Sequence, residues 1–420
     1  MQRPAISVLH PDDTEQADLH GGRSPWFARS GRPSRRDISE NLRCDALVVG
    51  AGITGSLAAE RLTRQGLDVI VIDREQPGRG STAVSTSMLL WEIDRSLREL
   101  SDAYGFERAS RVYRASREAV AGLQSLVGQL GIASDIRERN SLYLAAGDSS
   151  VGLLEEHRWR TRAGLPGDFL DHGVLLDSFG IARAAAIFSP GAADADPVQL
   201  AHGVLTTAVM RGARLFEGEA TAFDAAGRSV NVRLANDREI EARAVVLATG
   251  YVMPDILCAT VHQVSSSWAI ATVPQPQNVW SEGTLIWEDA TNYLYARTTR
   301  EGRIIIGGED STEIVDPEAR DRLIPEKSHA LTRRLAALWP VAKPDIEFRW
   351  VGTFGTTSDG LPLIGPVPDA RGVYAAYGYG GNGITFSFLA ARLIGDLIAG
   401  KTSPLLRDFA IDRDGDMAAH

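Results

Sequence analysis

Hydrophobic and polar positions change period several times along the chain, and the changes mark out its elements. Ala46–Val49 is a continuous apolar run, the pattern of a buried strand. Gly50-x-Gly52-x-x-Gly55 follows at once. Leu57, Ala58, Ala59, Leu62 and Thr63 then recur near the 3.6-residue helical period, and Gly66 sits where a glycine ends a helix. A second apolar run, Val69–Ile72, leads into Asp73. Further on, the period predicts a helix from Ile93 to Leu130 closed by Gly131, a strand over Arg139–Ala145 and an amphipathic helix over Leu153–Gly164. Pro197 opens another helix through Leu200, Val204, Leu205 and Val209. The stretch 213–248 reads as a three-stranded meander: Ala213–Phe216, Ala220–Phe223 with Val230–Leu234, and Arg243–Ala248. From Val261 to Arg349 the pattern is β-like, with a hairpin over 293–308 that turns near Glu301-Gly302, then a helix from Pro325 to Leu338. A strand, a glycine turn at Gly378–Gly383 and an amphipathic helix from Ile384 to Ile398 complete it. Residues 1–42 are too polar to build a core and read as a tail or wrapping arm, pinned by Trp26 and Phe27.

The first strand, glycine turn, helix, second strand and terminal acid stand in the order of a dinucleotide-binding unit. Gly50 makes the tight turn, Gly52 lets a pyrophosphate approach the backbone, and Gly55 lets the helix pack on the sheet. The helix N-terminus offers unpaired N–H groups to the phosphates. Asp73 lies 73 − 50 = 23 positions past the first glycine, near the expected spacing of about 20 for an acid on a ribose hydroxyl. These residues suit FAD and NAD alike and disfavour a 2′-phosphate. Beyond Asp73 comes a hydroxyl run, Ser81, Thr82, Ser85, Thr86 and Ser87, which turns apolar at Met88–Trp91. It is either a ligand-contacting loop or a solvated loop with a helix cap. Ala248-Thr249-Gly250 puts small residues at a strand's C-terminal end, where α/β sheets receive ligands.

Size and charge narrow the picture. A chain of 420 residues is long for one core, so two domains are expected. A net charge of −10 with no basic cluster argues against nucleic acid. Two cysteines, Cys44 and Cys258, have no metal-site spacing and fit a reducing cytoplasm. No apolar leader stands at the N-terminus, and no stretch approaches the roughly 20 apolar residues of a membrane span.

At the second glycine cluster the chain resembles the FAD-dependent D-amino-acid oxidase superfamily, which includes glycine oxidase, sarcosine oxidase and γ-glutamylputrescine oxidoreductase. VVGAGITGSLAAERL with Asp73, STAVSTSM, AVVLATG, YLYARTTREGRIIIGG, SDGLPLIG and GYGGNGITFS occur in the family's order and cover most of residues 44–400. The resemblance implies an α/β fold: a discontinuous Rossmann-like FAD-binding domain plus an α+β substrate domain on a largely antiparallel sheet. The expected segments are an N-terminal arm (1–42), FAD-binding parts at 43–135, 191–258 and 350–405, substrate parts at 136–190 and 259–349, and a C-terminal tail (406–420). FAD would be held noncovalently by Gly50, Gly52, Ile53, Thr54, Gly55, Asp73 and Arg74. The hydroxyl loop would add Ser81, Thr82, Thr86, Ser87 and Met88, and the strand ends Ala220, Thr249, Gly250 and Gly360. The C-terminal turn would supply Gly380, Gly381, Asn382, Gly383, Ile384 and Thr385.

The implied chemistry is oxidation of a C–N bond in a small-molecule amine or N-substituted amino acid. A hydride goes to flavin N5, and O2 or an electron carrier then takes the electrons. Tyr251, His262, Arg297 and Phe354 are the expected catalytic-end residues, within an aromatic set that adds Trp91, Trp268, Trp350 and Tyr377. Glu92 could hold a cationic nitrogen. The sequence departs from the family where relatives carry carboxylate-binding arginines: Thr353–Ser358 has none, and Gly381 stands in the C-terminal turn. Arg297 and Arg349 are the substitutes, or else structural ion-pair partners. The lysine that sarcosine-oxidase-like members keep over the flavin is missing from Arg303–Ile306. Alternatives are a dehydrogenase passing electrons to a quinone or carrier protein, and a non-catalytic flavoprotein binding or assembly factor.

Overall fold

The structure, a computed structural model, describes residues 20–28, 33–225, 227–252, 254, 256–257, 262–314 and 316–413. It begins with β1 (His20–Arg23), a 3-10 turn at Pro25–Ala28 and β2 (Arg36–Asp37). The apolar run of the sequence becomes β3 (Leu42–Val49), the glycine turn opens α1 (Ile53–Arg64), and β4 (Val69–Asp73) follows. Gly66 takes φ +84° just past α1, a conformation that costs a side-chain-bearing residue energy. After β5 (Met88–Leu89) the long predicted helix is two: α2 (Leu97–Tyr104) and α3 (Phe106–Leu130), divided at Gly105 with φ +82°. Ser96 and Glu99 cap α2 reciprocally, a start signal hidden inside the apolar period. Next come β6 (Arg137–Ala145), α4 (Val151–Arg162), β7 (Asp168–Asp171), α5 (His172–Phe179), β8 (Ala185–Asp194) and α6 (Pro197–Met210).

The remaining order is β9 (Arg214–Glu217), β10 (Ala220–Asp224), β11 (Val230–Leu234), β12 (Glu239–Leu247), β13 (His262–Thr272), β14 (Leu285–Asp289), β15 (Leu294–Thr298) and β16 (Ile304–Ser311). Helices α7 (Pro317–Arg322) and α8 (Ile324–Leu338) precede β17 (Ile346–Thr357), β18 (Leu363–Pro366) and β19 (Val373–Tyr377). The last helices are α9 (Gly383–Ile398) and α10 (Leu405–Asp408).

Two sheets organise these elements. The nucleotide-side sheet runs β10-β11-β12-β3-β4-β9-β2, with β19 also beside β12 and β18 beside β19. Its centre, β12-β3-β4-β9, is parallel. Leu47, Val48, Ile70 and Val71 are fully buried there, because helices cover one face and further apolar residues the other. Helix α1 buries Leu57, Ala58, Ala59 and Leu62 against that sheet. Burial of each leucine is worth about 1.5–3 kcal/mol. The expected meander is corrected in one strand. Ala213–Phe216 falls in β9, which pairs in parallel with β4 and β2, whereas β10, β11 and β12 form the antiparallel set. Helix α6 carries the chain back across the sheet before β9, and a helical crossover delivers a parallel strand.

The second sheet runs β1-β17-β13-β16-β15-β14-β6-β8-β5, with β7 beside β8, and is antiparallel except at β14-β6. Helix α8 covers it through Leu331, Leu335 and Leu338. Strand β8 runs through the expected 190/191 boundary and β17 through 349/350, so both strands lie wholly in this sheet.

Candidate active site

One cavity of about 1070 Å³ takes its walls from both sheets. At its nucleotide end Gly50 has φ +105°, and a Cβ there would lie 2.3 Å from the Ala248 carbonyl oxygen. A Cβ on Gly55 would lie 1.8 Å from the Gly50 oxygen, so Gly55 serves helix–turn packing behind the cavity. Gly52 faces the cavity, and Thr82 Oγ1 accepts from Ile53 N–H at 3.0 Å across the same turn. The Asp73 carboxylate accepts from Ala51 N–H at 2.6 Å and Glu75 N–H at 2.8 Å. Burial pushes its pKa up despite those donors. Arg74 lines the cavity and pairs with Glu219 at 3.5 Å. Arg35, absent from the sequence expectation, ties the arm to this end by donating to the Glu75 carbonyl at 2.6 Å.

The hydroxyl loop forms the middle of the wall with Ser81, Thr82, Ser85, Thr86, Ser87 and Met88. Ser81 Oγ and Ser87 Oγ are buried without a hydrogen-bond partner in the protein. Buried hydroxyls normally find partners. Two orphans beside a dinucleotide turn fit the polar ribityl and pyrophosphate groups of FAD. Ser87 itself sits at φ 58°, a left-handed conformation unusual for serine.

The second glycine turn closes the far end. Thr54 Oγ1, in the first turn of α1, lies 2.7 Å from Ser387 Oγ on α9 and 3.3 Å from the Tyr379 hydroxyl. The two helices therefore begin side by side on one cavity, which Gly380, Gly381, Asn382, Gly383 and Ile384 line. Asn382 Nδ2 donates to the Glu92 carbonyl at 2.6 Å, and Gly381 N–H donates to Asp94 Oδ2 at 2.8 Å. Tyr251, Trp287, Tyr293, Tyr295 and Phe354 give this end an aromatic wall. Behind it, the Tyr295 hydroxyl meets Ser267 Oγ at 2.8 Å. Burial also pushes the Asp310 carboxyl up to about 6, although Ser267 and Tyr293 hydrogen-bond to it.

The cavity gathers most of the residues expected from the sequence, including Ala220, Thr249 and Gly250. Eight stand elsewhere in the described structure. Gly55 packs behind its turn, and Thr385 donates to the buried Leu90 carbonyl at 2.9 Å. Gly360 is backed by Arg95, and its neighbour Asp359 joins a network with Arg413 and Tyr104. Arg297 is 2 % exposed. It donates to the Ser87 carbonyl at 2.7 Å and the Ala195 carbonyl at 3.0 Å, and its guanidinium lies 3.8 Å from Asp194. It therefore holds the hydroxyl loop from behind and does not face the cavity. Arg349, the other substitute, is exposed on β17. His262 opens β13, paired with Thr357, and its side chain lies outside the described residues, as does Cys258. Of the aromatic set, Trp91, Trp268 and Tyr377 are core residues. Burial pushes the Cys44 thiol up to about 12, which keeps it unreactive at neutral pH. Trp287, Tyr293, Tyr295 and Asp94 were missed. Strand alternation after Asp289 could have found the tyrosines, but nothing local flags the acid.

This geometry is that of a flavoenzyme, and comparison with known proteins agrees. The chain belongs to the FAD dependent oxidoreductase (DAO) family, whose sequence model matches residues 45–397. It is 26 % identical over 382 residues to γ-glutamylputrescine oxidoreductase of Escherichia coli (strain K12), covering 86 % of this chain and 85 % of that protein. It is also 26 % identical to glycine oxidase of Geobacillus kaustophilus (strain HTA426), with 88 % of this chain and 97 % of that one covered. The crystal structure of glycine oxidase from Geobacillus kaustophilus superposes with a TM-score of 0.76 at 24 % identity, over 89 % of this chain and 99 % of the other. The protein is thus an FAD-dependent oxidoreductase. Among the described residues no helix is long and apolar enough to cross a membrane, and no group of residues could hold a metal ion.

Proposed function

We propose that this protein oxidises a C–N bond of an amine or N-substituted amino acid, with noncovalently bound FAD accepting the hydride and the imine product hydrolysing. One observation carries the reading. The cavity lined by both glycine turns continues into an aromatic chamber, where Tyr251 and Phe354 stand beside Gly380–Gly383. The glycine backbone and the orphan hydroxyls Ser81 and Ser87 would hold the cofactor, which supplies a two-electron acceptor. The chain's own work is to bind, orient and desolvate. Tyr251, Trp287, Tyr293, Tyr295 and Phe354 offer faces for a nitrogen-bearing substrate and displace water around its reacting carbon. Burial raises the hydroxyl pKa of Tyr251, Tyr293 and Tyr295, so these groups act as neutral hydrogen-bond formers. We also propose that the two sheets mark the domains, with β8 and β17 carried by the substrate side.

The test is a panel of primary amines, secondary amines and amino acids mixed anaerobically with the holoenzyme. At least one should bleach the oxidised flavin absorbance. If none does, the reading fails. The runner-up, a dehydrogenase, is favoured by the lack of any lysine among the described residues lining the cavity. Slow oxygen uptake with rapid dye reduction supports it, and the reverse supports an oxidase.

A further inference from the structure

An irregularity in β16 aims a carboxylate at the aromatic wall. Residues of a strand face its two sides in turn. Gly307 faces the cavity wall, since a Cβ there would meet the Tyr295 ring. Unbroken alternation would bring Glu309 to the same wall and turn Asp310 away. The reverse is found. Ser266 pairs with Ser311 and Trp268 with Gly308, so β16 has one more residue than β13 over that span, which is a β-bulge. Glu309 sits in the bulge at φ 61° and pairs with Lys327 at 3.5 Å and Arg334 at 3.2 Å, both on α8. Asp310 is thereby turned to the other face, where Ser267 and Tyr293 hydrogen-bond to its carboxylate. Bulges re-aim side chains beside active sites, and strained backbone such as a left-handed glutamate gathers there.

The hydrogen bonds make two short chains. Ser267, Tyr293 and Tyr295 line the cavity, and Asp310 stands one layer behind them. Tyr293 meets the carboxylate directly. Tyr295 meets it through Ser267, whose Oγ is 2.8 Å from the Tyr295 hydroxyl. An ionised carboxylate can only accept. Each hydroxyl therefore gives its hydrogen toward Asp310, and the tyrosine oxygens keep lone pairs for the cavity. Asp310 Oδ1 is buried without a hydrogen-bond partner in the protein, so acceptor capacity is left over. The charges facing Asp310 are a like one on Asp94 and an opposite one on Arg334, which also pairs with Glu288 and Glu309. Lys327 is held by Glu309. Burial and Asp94 keep the Asp310 carboxyl up at about 6 against Ser267, Tyr293 and Arg334, close to the pH at which a proton acceptor works best.

We propose that Asp310 receives, through the hydroxyls of Tyr293, Tyr295 and Ser267, the proton that a substrate ammonium loses before it is oxidised. The proposal rests on the reading of the cavity as an amine-oxidising site and deepens it, because oxidation draws on the lone pair of a neutral nitrogen. In the direct chain the N–H proton passes to the Tyr293 oxygen as the Tyr293 proton passes to Asp310. In the longer chain it passes to Tyr295, the Tyr295 proton to Ser267 and the Ser267 proton to Asp310. The N–H electron pair stays on nitrogen, both tyrosines end neutral, and Asp310 ends as the carboxylic acid. Asp310 touches no substrate atom. It is a positioning residue that orients both tyrosines and holds the proton they pass on.

The test is the anaerobic rate of flavin bleaching at saturating amine, followed from pH 5 to pH 10. The probe is the fastest reducer of the amine panel, which includes n-butylamine, N-methylbutylamine, glycine and N-methylglycine. In the parent the rate should rise as pH rises through about 6, where Asp310 ionises, and then level off. Asp310→Asn should lose that limb and run about a hundred-fold slower at pH 7, the usual worth of a positioned base. Its rate should then climb toward the parent's near pH 10, because an amine with an ordinary pKa of about 10 arrives neutral there. Asp310→Glu should keep the limb near 6. The double variant Tyr293→Phe, Tyr295→Phe, which breaks both chains and leaves Asp310 in place, should behave as Asp310→Asn does. A loss that is equal at every pH overturns the proposal, as does a parent-like profile in Asp310→Asn or in the double variant. Bleaching by no amine of the panel removes the oxidation reading and this proposal together, whereas bleaching with an unchanged profile removes the proposal alone.

Discussion

At the scale of single residues, Arg297 shows how a side chain can matter to the site without facing it. Its two hydrogen bonds to the Ser87 and Ala195 carbonyls tie down the loop in which Ser87 is left-handed and carries an unpartnered hydroxyl. Arg297→Met should weaken FAD binding about ten-fold, the cost of roughly one charge-assisted hydrogen bond, in a titration of apoprotein by flavin fluorescence. Unchanged affinity would mean the loop holds itself. Asp359 makes a second case. Burial opposes its ionisation, but the bidentate Arg413 pair and the Tyr104 hydroxyl hold its carboxyl down at about 2. A depressed folded pKa contributes stability that is complete above about pH 3.8 and is lost as pH falls through about 2. The difference is worth about 2 kcal/mol, so Asp359→Asn should lower the unfolding temperature at pH 6 and flatten its fall between pH 4 and pH 2. The glycine turns were legible in the sequence because Gly50, Gly378 and Gly380 take positive φ and Gly55 has no room for a side chain. The acid of Asp94 and the support role of Arg297 were not, since both are set by partners about 290 and 210 positions away.

At the scale of elements, the N-terminal segment is a strap. Strand β1 adds to the edge of β17, Ser24 donates its hydroxyl to the Ala83 carbonyl at 2.5 Å, and Trp26 Nε1 donates to the Ser85 carbonyl at 2.8 Å. These bonds fasten the loop that carries Ser81 and Thr82. The pinning aromatic was legible because Trp26 stands out in a polar segment, but the strand, which is only HGGR, was not. His20 fixes the strap to the Arg79 carbonyl at 3.0 Å. Burial, helped by Arg320, lowers its pKa from 6.5 to about 4. Between those values the detached strap binds a proton that the docked one does not, so docking weakens as pH falls from 6.5 to about 4, by about 3 kcal/mol in full. Hydrogen exchange at Gly21–Arg23 should accelerate over that window and stay flat in His20→Gln. A flat profile in the unaltered protein would contradict the strap's acid sensitivity. The helix split at Gly105 and the elements β7, α5 and β8 were also missed. A capping box looks like continued helix when read by period alone, the short, mostly exposed β7 and α5 carry little periodicity, and β8 is buried at most positions, so its small residues do not alternate.

At the scale of the whole molecule, the parallel sheet supplies one end of the cavity, the antiparallel sheet supplies its aromatic wall, and α1 and α9 start together where the two meet. The two-layer plan was legible because the order of motifs carries it. Sheet order was less so: β9 was read into the wrong neighbourhood, since strand pairing depends on where α6 returns the chain. FAD held without a covalent bond should leave the protein on acid precipitation and appear as yellow supernatant. Colour retained in the pellet would contradict that. The claim on which the rest stands is that both glycine turns serve one nucleotide. A crystal structure of the FAD-loaded protein tests it most directly. The account predicts continuous density for a single FAD, with its pyrophosphate against Gly50–Gly52 and its ring system against Gly380–Gly383 and the Tyr251 side. Density that leaves Gly380–Gly383 untouched would contradict it.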